Sequence, residues 1–150
     1  MLDRDRIPGE LCAILEEQLG NRLDDINFPP PVFDTLRGEM VEIDLDKKVL
    51  VNRFPVLSEY LNPYGTLQGG IIAAVIDNTI GPLSMLVAPP SYTRHLELKY
   101  TKAISPEIGF VYVKAKFMGS KKRLLYFQAS VESQQGDKFA TANSTHWVIE

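Results

Sequence analysis

The stretch LNPYGTLQGGIIAAVIDNTIG, Leu61 to Gly81, carries the residues best suited to chemistry. A Pro/Gly turn leads into the pair Gly69–Gly70, then into an almost wholly apolar segment with one carboxylate, Asp77. The first N–H groups of a helix have no intrahelical partners and carry partial positive charge. Gly69 and Gly70 fall there, and without side chains they let a ligand carbonyl approach the backbone closely. A carbonyl oxygen gaining negative charge in acyl transfer would be stabilised at this spot; losing one such donor typically costs ~100- to 1,000-fold in rate. Asp77 lies seven residues past Gly70, two turns along the same helix. A dry, unpaired carboxylate is too costly to bury, so Asp77 must reach a polar cleft, a partner or a subunit boundary. In such a setting it can attack a carbonyl or act as base toward water. The competing reading makes it a structural ion-pair or hydrogen-bond partner, or a surface residue on a half-exposed helix.

These residues need elements to hold them. Residues 67–86 read as a helix whose apolar residues (Ile71, Ile72, Val75, Ile76, Ile80, Leu83) cover most of its circumference, which belongs in a core. Pro82 should end or kink it, because it has no N–H for the carbonyl four residues back. Upstream, Leu11, Ile14, Leu15 and Leu19 recur at helical spacing, with Gly20 as the stop. Residues 24–38 contain PPP and read as an extended connector. Val41, Ile43 and Leu45 alternate with polar residues, and Asp46 to Lys48 turn the chain into a second strand, making a hairpin. After Ser91 the chain reads as four strands, at 92–101, 109–118, 124–132 and 138–149, broken at SPEIG, GSKKR and QQGD. In the first of these, simple alternation puts Thr93 with His95 and Glu97, opposite Leu96 and Leu98. An antiparallel sheet must cover its apolar face, and the buried helix is the element suited to do so. The expected class is α+β, a curved sheet wrapped round one central helix, with a further helix at the N-terminus.

The totals narrow the function. The chain has 150 residues, the usual size of one domain, with 45% hydrophobic content. No stretch of about 18 apolar residues lacks a break, so no membrane span is expected. MLDRDRIPGE is too charged for a signal peptide. The single cysteine, Cys12, excludes an internal disulfide framework and fits a reducing, cytoplasmic compartment. With two histidines and that one cysteine, no metal site is expected. A net charge of −3 argues against nucleic-acid binding. The charge is uneven: residues 1–90 sum to −7, and residues 91–150 to +4. Solvated strand faces account for this, as does a local basic rim for a phosphorylated ligand.

NPYGTLQGGIIAAVID resembles the signature of hotdog-fold acyl-CoA thioesterases of the PaaI-like, 4-hydroxybenzoyl-CoA thioesterase superfamily. That pattern runs Asn, two residues, Gly, two residues, His-Gly-Gly, six residues, Asp. Asn62, Gly65, Gln68–Gly69–Gly70 and Asp77 stand at the matching spacings, and TRHLELKYTKAI resembles the family strand that follows the helix. The resemblance covers roughly residues 39–149. It implies one hotdog domain over 1–150, with 1–38 as an N-terminal helix and connector. It implies Asp77 as the catalytic carboxylate and the Gly69 N–H as the group that polarises the thioester carbonyl. Asn62 then orients water or substrate, Gln68 orients the thioester, and Thr93 holds water against the carboxylate. The implied substrate is an acyl-CoA, with coenzyme A as part of the substrate and no other cofactor. The implied assembly is a homodimer or homotetramer whose sites form between subunits. Gln68 replaces the usual His and cannot titrate near neutral pH. The alternative is therefore a hotdog protein that binds acyl-CoA without turning it over.

Other residues admit two readings each. Lys121, Lys122 and Arg123 form a solvated hairpin tip or, with Gly70 at the helix start, contact the substrate, the basic side chains clamping the phosphates of coenzyme A. His95 is a solvated or interface residue. His146, beside Trp147, is a packed, hydrogen-bonded histidine or a catalytic one. Phe33 and Leu36 line an acyl pocket or cover the sheet.

Overall fold

The computed structural model describes residues 2–149. Its main elements are α1 (Gly9–Leu19), a 3-10 turn (Gly20–Asp25), α2 (Pro31–Thr35), β1 (Glu39–Asp44), β2 (Val49–Pro55), α3 (Gly69–Val87), β3 (Ser91–Tyr100), β4 (Phe110–Lys121), β5 (Leu124–Glu132) and β6 (Lys138–Val148). The six strands form one antiparallel sheet in the order β1-β2-β4-β5-β6-β3. β3 is an edge strand although it directly follows α3 in sequence. The sheet wraps α3, which touches β2, β3, β4 and β5.

Strand alternation sets that packing. Val111, Val113 and Ala115 of β4, and Leu125, Phe127, Ala129 and Val131 of β5, all point to one face and are buried. They meet Ile72, Val75, Ile76, Ile80 and Leu83 of α3. Each fully buried aliphatic side chain contributes about 1.5–3 kcal/mol. A smaller cluster of Ile7, Leu11, Cys12, Leu15 and Phe28 seals α1 against Leu86, near the end of α3. Phe33 and Leu36 are buried in the main core, with Phe33 edge-on to Phe54 at 5.6 Å.

Several local expectations need correction. The connector is not wholly extended: Pro31 opens the short helix α2, where its missing N–H costs nothing. In β1 the register shifts between Met40 and Glu42, leaving Val41 exposed while Met40 and Ile43 pack inward. Leu45 lies beyond the strand and is exposed. The GSKKR break is shorter than expected, because β4 runs to Lys121 and only Lys122 and Arg123 turn.

Pro82 neither ends nor breaks α3, which continues to Val87. The carbonyl that Pro82 cannot serve is that of Asn78. Asn52 of β2, fully buried, donates Nδ2 to Asn78 O at 3.3 Å and to Thr79 Oγ1 at 3.2 Å. A strand side chain thus replaces the missing helical donor. By length and composition alone α3 is long and apolar enough to span a membrane. Its apolar faces are spent inside the sheet, as those of a core helix.

Candidate functional site

The loop before α3 closes on itself. Asn62 Oδ1 accepts the amides of Tyr64 and Thr66, its Nδ2 donates to Thr66 Oγ1, and Gly65 takes a φ of 78° that suits glycine. Asn62 is spent on this turn, which fixes where the helix begins. Gln68 follows at the N-cap in extended backbone, with its side chain exposed and making no cap bond. Its carbonyl accepts the amides of Ile71 and Ile72. The amides of Gly69 and Gly70 have no acceptor among the described residues. These are the two open donors expected at this position.

Tyr100, the tyrosine of the TRHLELKYTKAI strand to which the sequence assigned no role, belongs to this end of the helix. Its hydroxyl donates to Gly69 O at 2.8 Å, and a side chain on Gly69 would meet its ring at 3.4 Å. That distance is ordinary van der Waals contact, so the tyrosine packs against this turn without requiring glycine.

Asp77 lies two turns on, half-buried, where α3 faces the start of β3. Thr93 Oγ1 donates to Asp77 Oδ1 at 2.9 Å. No Lys or Arg is within ion-pair reach of Asp77 among the described residues. Simple alternation had turned Thr93 the other way. The cause is a β-bulge: Thr93 pairs with His146 and His95 with Thr145, leaving Arg94 as an extra residue. The bulge resets the phase, so Thr93 shares the inner face with Leu96 and Leu98, while His95 stays outside.

His146 completes the cluster. It is 2% exposed, with Nε2 3.3 Å from Thr93 Oγ1 and Nδ1 3.1 Å from Ser91 Oγ. Thr93 has one hydroxyl hydrogen, and Asp77 takes it, so Thr93 must accept from His146 Nε2–H. Nδ1 then accepts from Ser91. The chain runs in one direction: Ser91 to His146 to Thr93 to Asp77. Burial holds the His146 pKa below the usual histidine range, against a smaller upward pull from Asp77.

Asp77, Thr93 and His146 line a cavity of about 240 Å3. Its far wall includes Asn27, Phe28 and Pro30 of the N-terminal connector. Nothing in the sequence pattern links that segment to Asp77; the link arises because α1 and Phe28 pack on the end of α3. A separate depression of about 320 Å3 lies on the outer sheet face between Lys114, Lys116 and Lys138, away from Asp77. Lys121, Lys122 and Arg123 are exposed at the β4–β5 turn. They do not enter the Asp77 cavity. No cluster of potential metal ligands occurs among the described residues.

No family model matches the sequence, and no curated protein does. Solved structures do. A phenylacetic acid degradation-related protein from Ralstonia eutropha JMP134, described as a candidate thioesterase, is 25% identical. That match covers 85% of this chain and 97% of that one, with a TM-score of 0.73. The phenylacetic acid degradation protein PaaI from Thermus thermophilus is 18% identical over 79% of this chain and 99% of that one, with a TM-score of 0.70. A hypothetical thioesterase from Streptococcus pneumoniae TIGR4, solved with coenzyme A, is 18% identical over 75% of this chain and 85% of that one, with a TM-score of 0.68. The chain has the hotdog fold of these PaaI-like proteins, as the Asn62–Asp77 signature implied.

Proposed function

We propose that this chain is an acyl-CoA thioesterase, hydrolysing a thioester to a free acid and coenzyme A. The observation that carries the reading is Asp77: a carboxylate without a cationic partner among the described residues, aligned by Thr93 at a cavity wall. It stands on the same helix whose first amides are open. The thioesterase description and bound coenzyme A of similar structures support the substrate class.

In this reading Asp77 takes a proton from water as the water oxygen bonds to the thioester carbon. The C=O electron pair moves onto oxygen, which faces the Gly69 amide. The oxyanion then re-forms C=O, the C–S bond breaks, and the leaving thiolate takes the proton from Asp77. Direct attack by Asp77, followed by hydrolysis of the anhydride, uses the same placement. Gln68, exposed beside Gly70, orients the thioester and transfers no proton. Asn62 acts by holding the loop that sets the helix start.

One chain cannot complete this site. Eight residues of α3 at ~1.5 Å each put roughly 12 Å between Gly69 and Asp77, too far to serve one carbonyl. Thr93 stands with Asp77 near one end of β3, and Tyr100 with Gly69 at the other. The outer edge of β3 is unpaired over its ten residues, and such edges invite pairing. A second copy docked antiparallel on that edge brings one copy's Gly69 and Tyr100 beside the other's Thr93 and Asp77. A homodimer is therefore the minimal working unit, and a tetramer is a dimer of such dimers.

Thiol release from a panel of acyl-CoA substrates tests the reading. Asp77→Asn is expected to lose at least ~100-fold in turnover. Equal turnover by both proteins removes Asp77 from the mechanism. Tight binding of acyl-CoA with no turnover of any substrate supports the non-catalytic alternative, which Gln68 in place of the family's histidine favours.

A further inference from the structure

The cavity beside Asp77 continues along one face of α3. Asp77, Gly81 and Met85 recur at every fourth residue, so they form one stripe from the carboxylate toward the C-terminal end of the helix. The facing wall is Phe28 and Pro30 of the N-terminal connector. Phe33 and Leu36, which the sequence offered for an acyl pocket, lie in the main core and not on this wall.

The polar groups along the groove are spent on the protein itself. Asn78 Nδ2 donates to Ala74 O at 2.8 Å, and Ser84 Oγ to Gly81 O at 2.6 Å. Ser91 and His146 hold each other, and Thr93 serves Asp77. Past the carboxylate, the groove offers a ligand chiefly apolar surface.

Gly81 points to an occupant. Glycine is, after proline, the residue least suited to a helix interior. A side chain built on Gly81 would meet nothing within 4 Å, so no neighbouring element demands glycine there. Pro82 crowds the Cβ of the residue before it, which is one reason for glycine. The space is the other: a side chain at this position would fill the groove one turn past Asp77.

The groove is far too small for coenzyme A, yet it fits the other half of a thioester. An apolar cavity of ~150 Å3 houses benzene, so about 240 Å3 takes an acyl group of roughly ten carbons. We propose that the Asp77–Gly81–Met85 face of α3, walled by Phe28 and Pro30, receives the acyl group, and that Gly81 and Met85 set its length. The substrate class is then a medium-chain, apolar acyl thioester. The identity of the ligand rests on the acyl-CoA reading above; the test does not require turnover.

A straight-chain series from acetyl- to myristoyl-CoA tests this. Affinity is read by calorimetric titration of Asp77→Asn protein, chosen to hold substrate unhydrolysed, and kcat/KM by thiol release from the parent. Each methylene that the groove covers should tighten binding about 2- to 4-fold, with a break at about ten carbons. Gly81→Leu should move the break about four carbons shorter, and Met85→Ala about three carbons longer, matching the side-chain atoms added and removed. Met85→Ala carries the test alone if Gly81→Leu fails to fold beside Pro82. A break that stays in place in Met85→Ala overturns the proposal, as does parental affinity that ignores chain length. A Gly81→Leu protein that changes oligomeric state on gel filtration yet keeps the parental break puts a second copy in the groove, and also overturns it. A chain-length break in a protein that hydrolyses no thioester keeps the groove and sinks the thioesterase reading. Thioester turnover without a break does the reverse.

Discussion

Thr93 Oγ1 donates to Asp77 Oδ1 across 2.9 Å, joining the edge strand to the core helix. The bond exists because one extra residue, Arg94, shifts the phase of β3. Hydrogen bonds to a charged group contribute about 1.5–3 kcal/mol, or roughly 10- to 100-fold in rate if fully used in the transition state. Thr93→Ala should lower kcat in the thiol-release assay by that range, with little change in KM. Thr93→Ser, which keeps the hydroxyl, should recover most of the activity. Equal loss in both variants would mean that the hydroxyl is not what matters.

The proposed two-chain site can be tested by complementation. Gly69→Pro removes the proposed oxyanion donor, yet proline suits the first helical position. Gln68 already has the extended backbone that a following proline demands. Gly69→Pro and Asp77→Asn proteins should each be inactive alone. Co-folded in equal amounts, they should regain about a quarter of wild-type turnover, since half the dimers carry one intact site. No recovery in mixed dimers would place both groups in one chain.

His146 should make stability depend on pH. Its folded pKa lies below the ordinary histidine value of 6.5, chiefly through burial. Where the unfolded chain binds the extra proton, acid favours unfolding. The stabilisation is therefore complete above the unfolded value and is lost as pH falls through the folded one. Urea midpoints should drop between about pH 7.5 and pH 5, and His146→Gln should flatten that slope. A parallel slope in the variant would assign the effect to other groups.

Asn52 should be worth more than its small size suggests. Replacing it with Ala leaves Asn78 O and Thr79 Oγ1 without their β2 donor in a dry core. An unsatisfied buried group costs about 1–3 kcal/mol, to be read from urea unfolding. Asn52→Ala combined with Pro82→Ala, which restores an N–H for the carbonyl, should be less destabilised than Asn52→Ala alone.

Sequence pattern was enough for the architecture because its signals are local. Alternation marked β3 to β6, and the all-round apolar character of residues 67–86 marked a core helix. The open amides at Gly69 followed from helix termini alone. What escaped notice depended on residues distant in sequence. Pro82 passes through α3 only because Asn52 reaches across from β2. Thr93 turns inward because of a register shift against β6, which no single-strand pattern reveals. The sequence left His146 between a packed and a catalytic reading and gave Tyr100 no role; only the sheet sets them beside Thr93 and Gly69. Phe28 and Pro30 became a cavity wall through packing that starts at α1.

The rigidity of α3 makes it a ruler. Its pitch fixes how far, and at what angle, the carboxylate stands from the first amides. Inserting one residue between Ile71 and Ile76 would advance Asp77 by about 1.5 Å and swing it by about 100° around the axis. Relative to the helix start, its carboxylate would then no longer stand where it does now, toward Thr93 at the cavity wall. The spacing of six residues between the second glycine and the aspartate is thus a length standard, which in the proposed dimer would have to match two copies meeting along β3.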